Sequence, residues 1–312
     1  MTNAHQTYAS WLQELPVVPF FHQAGWWQAL WGDEWSVALY QKGDHIHGAW
    51  PYRKTQKFGL SMIRPPMLTP YHGPLLLYPP QQKRTTRYSF QHEVVQGLLE
   101  QLSGYQHCYQ HLRPQSHLGM AFHLSGFDLT TRYTYVVPEL SDADALFSQC
   151  RENIRREIRK AEKSLTVQPE EDIDLLHTVK KAHYATQKRQ YEISKTLLQR
   201  GFAYSREQRK GELLVARDDH GHPQGAIWYV WDAESAYYLH GGTFPQSKNS
   251  GAMSLLLWTA LKRAAQHTRS FNFEGSMVPA IERYFRSFGG ECTPYLAVSH
   301  TPNRLLRWWR NR

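Results

Sequence analysis

The final third of the chain alternates strand-like and helix-like segments in an order that few folds accommodate. Glu212 to Arg217 reads as a strand, Asp218-Asp-His-Gly221 as a turn, and Gly225 to Trp231 and Ala236 to Gly242 as two further strands. Gly251 to His267 then reads as a helix. On it Met253, Leu256, Leu257, Ala260, Leu261 and Ala264 recur at helical spacing, a face suited to lie on a sheet. A strand (Arg269 to Glu274), a helix (Pro279 to Ser287) and a last strand (Thr293 to Val298) follow. Such alternation specifies an α/β arrangement, a mixed sheet flanked by helices.

Within that run, Arg269-Ser-Phe-Asn-Phe-Glu-Gly-Ser276 is the most informative segment. Strand alternation gives Phe271 and Phe273 one face and Asn272 and Glu274 the other. Glu274 falls at the strand's end beside Gly275 and Ser276, where open α/β sheets tend to place chemistry.

A chain of 312 residues has room for a large core or two domains, and its 41% hydrophobic content excludes a disordered polymer. A formal charge of +9 favours anionic partners such as phosphates, nucleic acid or an anionic membrane face. Three cysteines without CxxC spacing argue against a disulfide framework or a cysteine-based zinc site. His45 and His47 share a strand face, but no further ligands stand at convincing spacing, so no metal is expected. The first 30 residues lack a basic-then-apolar run, and no stretch of 18 apolar residues occurs; a soluble cytoplasmic protein is expected.

The first half reads as strand-rich. Trp35 to Tyr40 and Ile46 to Tyr52 form a hairpin with Gly43-Asp44 at its tip. The proline-punctuated stretch Arg64 to Pro74 suits an ordered loop, Phe90 to Leu102 a helix, and Gln106 to Leu112 and Tyr133 to Val137 strands. Pro138-Glu-Leu-Ser141 marks a boundary, dividing the chain into 1–138 and 139–312. Ser141 is the expected N-cap of one helix running to Lys163, with Phe147, Cys150, Ile154 and Ile158 along one stripe. A strand near Leu165 to Gln168 and helices over Ile173 to Lys188 and Ser194 to Phe202 complete the reading.

Four segments together resemble a known group. They are Pro65-Pro-Met-Leu-Thr-Pro-Tyr-His-Gly-Pro74; Arg151-Glu-Asn-Ile-Arg-Arg-Glu-Ile-Arg-Lys-Ala161; Tyr238-Leu-His-Gly-Gly-Thr243 leading into Gly251; and Phe271-Asn-Phe-Glu-Gly-Ser276 followed by Ile281 to Gly290. In this order the chain resembles the Fem-type aminoacyl transferases and related GNAT-like N-acyltransferases. The resemblance implies two tandem GNAT-like subdomains with the acceptor bound between them. It implies no tightly bound cofactor, with acyl-CoA or aminoacyl-tRNA as the donor co-substrate. The pyrophosphate loop of CoA users reads Gln/Arg-x-x-Gly-x-Gly/Ala, whereas this chain has Lys248-Asn-Ser-Gly251-Ala-Met253, in which only Gly251 aligns well.

Acyl transfer to an amine needs a neutral nucleophile, stabilisation of the developing oxyanion and a clamp on the donor's anionic portion. Gly251 and Ala252, at a helix start, offer backbone N–H groups to phosphate, with Lys248 adding charge. Glu274 and His240 are the candidates for proton handling. Tyr238 and His240 are expected on one face of a strand neighbouring the one that ends at Glu274. Arg151, Arg155, Arg159 and Lys163 form a basic row, and by analogy with the family Arg155 and Arg159 face acceptor or donor phosphates. Tyr71, in the stiff proline loop, is a candidate wall of the acceptor site. The tail Leu305 to Arg312 sets indoles among cations, suited to peripheral membrane contact or RNA.

The resulting expectation is an N-acyltransferase acting on an amine of a small or cell-envelope molecule, such as a cell-wall precursor, with tRNA a further partner. The rival expectation is a non-catalytic RNA- or membrane-associated protein that keeps the same fold.

Overall fold

The computed structural model describes residues 2–57, 59–275, 277–303 and 307. The chain begins with helices α1 (Asn3–Trp11) and α2 (Ala24–Trp31), then strands β1 (Ser36–Lys42), β2 (His45–Tyr52), β3 (Lys54–Lys57), β4 (Leu60–Ile63) and β5 (Leu75–Leu76). Helix α3 (Arg84–Gln101), strand β6 (His107–His111), helix α4 (Gly119–Leu124) and strand β7 (Asp128–Val137) follow. The second half runs α5 (Ala143–Gln149), α6 (Glu152–Ala161), β8 (Leu165–Glu170), α7 (Asp174–Thr186), α8 (Lys195–Glu207), β9 (Gly211–Asp218), β10 (Pro223–Trp231), β11 (Ser235–Thr243), α9 (Ala252–Ala264), β12 (Ser270–Asn272), α10 (Pro279–Arg286) and β13 (Glu291–His300).

These elements divide into two compact units, Tyr133–Thr293, and Met1–Arg132 together with Pro294–Arg312. The expected division at 138/139 lies close to the first crossing, but the end of the chain groups with the first half. The reason is strand pairing, since β13 runs antiparallel to β6 with Ala297 opposite His111 and His300 opposite Cys108.

In the first unit β1, β2 and β5 form a small sheet, and β3, β4, β6 and β13 lie side by side in another. The hairpin expected at Gly43-Asp44 is present, with Gly43 at φ 62. Helices α1 and α2 were not anticipated. Both are short, and α2 is apolar on nearly every side, so no polar face marks its period; Trp26 and Trp27 are fully buried.

In the second unit the strands lie in the order β7-β12-β11-β10-β9-β8. Among the described residues of this unit, β11 and β12 pair in parallel, and the pairs on either side of them are antiparallel. Side chains alternate faces along the strands. Leu214, Ala216, Ile227, Tyr229 and Phe271 join a core with Ile154 and Ile158 of α6 and Leu256, Leu257, Ala260 and Leu261 of α9. Helices α7 and α8 lie against β9 to β11 with the other set, where Phe202 meets Trp228 edge-on at 6.0 Å. The helical stripe on α9 thus covers the sheet as its spacing predicts, and at about 1.5–3 kcal/mol per buried Leu it is a principal stabiliser of this unit.

The helix expected from Ser141 to Lys163 is two helices. Asp142, not Ser141, is the N-cap, accepting from the Ala145 N–H. Cys150 and Arg151 are extended, at ψ 142 and 147, and the freed Arg151 N–H donates to the Ser287 carbonyl. That tertiary bond compensates the break. Arg151 is left as the residue before α6, and Lys163 lies past its end at Ala161, so of the expected row only Arg155 and Arg159 are on α6.

Candidate functional site

Strands β11 and β12 pair over three residues only, Ser235 to Tyr237 against Ser270 to Asn272. Beyond them the strands part. β11 continues to Thr243 beside β10, while the Phe273 N–H turns to the Tyr135 carbonyl of β7. Strand β11 therefore neighbours the strand leading to Glu274, as expected, and the two diverge at Tyr238 and Phe273. A parting of parallel strands inside a sheet opens backbone edges that are otherwise occupied, which is where an α/β sheet admits a ligand.

Tyr238 and His240 were expected on one face, and the structure corrects this. A β-bulge in the β10–β11 pairing sets Tyr229 opposite Tyr238 but Trp228 opposite His240, so Leu239 is the extra residue. Tyr238 therefore faces α9 and α10, 5.8 Å from the Phe285 ring, while His240 faces α7. One inserted residue reverses the alternation, which periodicity cannot foresee.

On the α7 face His240 stacks on Tyr191 at 5.6 Å, and its Nε2 shares a 2.5 Å hydrogen bond with the Tyr191 hydroxyl. Burial, with a smaller push from Lys180, lowers the imidazole pKa to about 3. Lys180 runs its stem across Gly242 and donates from Nζ to the Gly241 carbonyl at 3.0 Å. Burial lowers its own pKa to about 8. His183 is lowered as well, first by burial and then by Lys180 and the exposed Lys248. The sequence reading singled out neither Lys180 nor Tyr191. They lie outside the last third, on α7 and in the loop after it, and only tertiary folding brings them to His240.

On the opposite face the start of α9 meets α6. Gly251 has φ 78, and a Cβ there would stand 3.0 Å from the Glu157 carbonyl oxygen, so glycine is required by conformation and by contact. The Ala252 N–H is bonded to Ser250 Oγ at 3.2 Å, and Ala252 is buried. One turn on, Ser254 Oγ donates to Glu157 Oε2 and lies 2.8 Å from the Tyr284 hydroxyl. Burial raises the pKa of both Tyr284 and Tyr238, so both remain neutral hydroxyls.

Glu274 stands just past β12 at φ 54, in the left-handed region that a glutamate rarely adopts. A local network holds it there. Thr134 Oγ1 donates to Asn272 Oδ1 at 2.6 Å, and that oxygen also accepts the Glu274 N–H at 2.9 Å. The next amide, Gly275, donates to Thr134 Oγ1 at 2.8 Å. A Cβ at Gly275 would lie 2.4 Å from Thr134 Cα, so that residue too must be glycine. Backbone strain over-determined by a dedicated network is a feature of functional positions.

Other candidates are placed differently. Arg159 lies over the Phe147 ring at 5.3 Å, and Arg155 is half-buried, its Nε without a hydrogen-bond partner among the described residues. Tyr71 belongs to the first unit, is buried, and packs edge-on against Tyr295 at 5.1 Å. Ser276 and, of the tail Leu305 to Arg312, every residue but Arg307 lie outside the described residues. Among those described, no helix is long and apolar enough to cross a membrane.

Residues 148–286, which include both faces of the parted strands, match the family described as acetyltransferase (GNAT) domain. No curated protein matches the sequence. Among solved structures, FemX superposes with a TM-score of 0.70 at 12% identity, covering 100% of this chain and 99% of that one. L-PGS from Bacillus licheniformis gives 0.58 at 10% identity, with 97% and 94% covered. A tandem GNAT protein from the clavulanic acid biosynthesis pathway gives 0.50 at 11%, with 86% and 83% covered. These likenesses establish a shared fold of tandem GNAT-like domains. Residues 148–286 thus match the acetyltransferase (GNAT) domain, within a chain that shares the fold of GNAT-like acyltransferases.

Proposed function

We propose that the protein transfers an acyl or aminoacyl group from an activated donor, acyl-CoA or aminoacyl-tRNA, to an amine on a small or cell-envelope molecule. The observation that carries this reading is the divergence of β11 and β12, with Lys180 and His240 on one side and the start of α9 on the other. A donor laid in that opening brings its carbonyl near groups drawn from three elements.

In this reading Glu274 takes the proton of the attacking amine. Its carboxylate is the basic group at the end of β12, and a positioned base contributes about 10²–10⁴-fold. His240 is ill-suited to that task, since a pKa of about 3 makes it a weak base and its Nε2 is engaged by Tyr191. It instead fixes the Tyr191 hydroxyl, while Lys180 lies over the Tyr184 ring. Lys180, cationic below about pH 8, stabilises the negative charge that develops on the carbonyl oxygen. Tyr284, a neutral hydroxyl tied to Ser254, is the donor available to the leaving group. Lys248 and the positive end of α9 attract donor phosphate. Gly251 shapes that start, and Ala252, whose N–H is taken by Ser250, supports it without touching the ligand.

The resemblance to Fem-type transferases supports an aminoacyl donor, and the match to the acetyltransferase (GNAT) domain supports acyl-CoA. The deciding experiment incubates purified protein with acetyl-CoA or with charged tRNA and a panel of amines, and reads the product by mass spectrometry. An N-acylated amine from either donor supports the proposal and names the donor. Neither donor consumed above the rate without enzyme, across the panel, removes it.

A further inference from the structure

In the first unit β6 and β13 pair with Ala297 opposite His111 and Ser299 opposite Tyr109, so strand alternation sets Tyr109, His111 and Tyr295 on one face. The other face carries Cys108, Leu112 and Val298 into a core shared with Val94 and Phe122. Arg132, on β7, reaches the first face. Its Nε donates to the Tyr295 hydroxyl at 3.3 Å, and the guanidinium donates to the Tyr109 hydroxyl as well. The Tyr295 ring is itself held edge-on by Tyr71 at 5.1 Å and by His111 at 5.6 Å.

His111 fixes where the protons lie. Its Nδ1 is 3.2 Å from the Pro70 carbonyl, which can only accept, so Nδ1 carries the proton. The ring is neutral, its pKa lowered to about 4 by burial and then by Arg132, and Nε2 is a bare lone pair. The Tyr109 hydroxyl, 2.9 Å away, donates to that lone pair and turns an oxygen lone pair of its own toward the guanidinium. Neutral groups thus hold a cation in one orientation without cancelling its charge.

Other arginines of similar exposure are neutralised. The half-buried Arg53 and Arg217 each meet a glutamate, whereas the half-buried Arg132 meets no carboxylate among the described residues. Its guanidinium is largely open to solvent, and the rest of its fork meets no acceptor among those residues. A planar fork oriented in advance by two phenols matches a carboxylate, which takes two parallel N–H bonds. A phosphate dianion calls for a second cation, and the neighbouring His111 is neutral.

We propose that Arg132, supported by Tyr109 and Tyr295, is a binding site for a monocarboxylate with a planar apolar body. The open side of the fork takes both carboxylate oxygens, and the body rests on the half-exposed Tyr109 ring. Every residue of this site lies in the first unit, and the assignment does not depend on the acyl-transfer reading.

The test is isothermal titration of the whole protein, at constant ionic strength, with benzoate, acetate, benzamide and inorganic phosphate. Benzoate is expected to bind with a Kd of roughly 0.3–3 mM, acetate at least about threefold more weakly, and benzamide not at all. Arg132→Lys keeps the charge but loses the fork, and is expected to weaken benzoate at least about fivefold while the thermal melt is unchanged. Benzamide binding as well as benzoate, phosphate binding more tightly than benzoate, or no benzoate binding below roughly 10 mM overturns the proposal. Full benzoate affinity in Arg132→Lys does so too, since it places the carboxylate elsewhere. Equal affinity for acetate and benzoate overturns the planar body. Because the ligand series uses the unmodified protein, its result does not hinge on the stability of the variant.

Discussion

Lys180 Nζ donates to the carbonyl oxygen of Gly241 at 3.0 Å, so a side chain from α7 is fixed against the strand that parts from its neighbour three residues earlier. This contact draws a cation into a half-buried position where burial lowers its pKa to about 8. Fold and chemistry pull against one another at that point, and the conflict can be measured.

The folded pKa of Lys180 lies below its ordinary 10.5, so between about pH 8 and 10.5 the unfolded chain holds the extra proton. Stability contributed at this site therefore rises with pH across that window. Lys180→Met is expected to raise the melting temperature at pH 7 by about 2–4 °C and to lower turnover at least tenfold. Differential scanning calorimetry beside a transfer assay reads both; a lower melting temperature with unchanged turnover contradicts the assignment.

In the proposed mechanism the same residue sets a pH limb on catalysis. If its cation stabilises the oxyanion, kcat/KM for the donor falls above about pH 8, and Lys180→Arg, which stays charged, flattens the fall. Were Lys180 the base, that limb would rise instead of falling. A pH profile from 6 to 10 distinguishes the two signs.

His22 and His240 are held neutral, with pKa values of about 3. Below pH 6.5 the unfolded chain takes up protons that the fold refuses, so stability falls with acid. For the buried His22 the loss is about 1.4 kcal/mol per pH unit from 6.5 downward. Urea melts at pH 7, 6 and 5 are expected to show falling midpoints, and His22→Gln is expected to flatten the fall.

Gly251→Ala places a methyl group 3.0 Å from the Glu157 carbonyl on a backbone at φ 78. A destabilisation of about 1–3 kcal/mol is expected, with donor KM and kcat both affected. Loss of donor affinity at unchanged stability would instead assign Gly251 a direct contact.

The sheet order around β9 to β12 and the covering face of α9 were legible because period-2 and period-3.6 patterns reach through uninterrupted segments. Glu274 was legible as a strand end, though not its left-handed backbone, which depends on Thr134 from a strand 140 positions away in the sequence. His240 was misplaced relative to Tyr238 because a single bulged residue leaves no mark on hydrophobic spacing. The break at Cys150 was hidden for a related reason. Its buried side chain keeps the helical stripe intact while a distant carbonyl, that of Ser287, takes the Arg151 amide. Lys180 and Tyr191 carry no local motif, and their role follows from what folding sets beside them.

The most direct test of the account is Glu274→Gly, assayed for folding and acyl transfer on the same preparation. Glycine tolerates φ 54 without the strain a glutamate bears, so thermal stability is expected to hold or rise by up to about 1 kcal/mol. Transfer to the amine is expected to fall at least about tenfold, since the proposed proton acceptor is gone. A protein equally stable and equally active after that substitution would contradict the assignment of Glu274 and, with it, the site at the parting of β11 and β12.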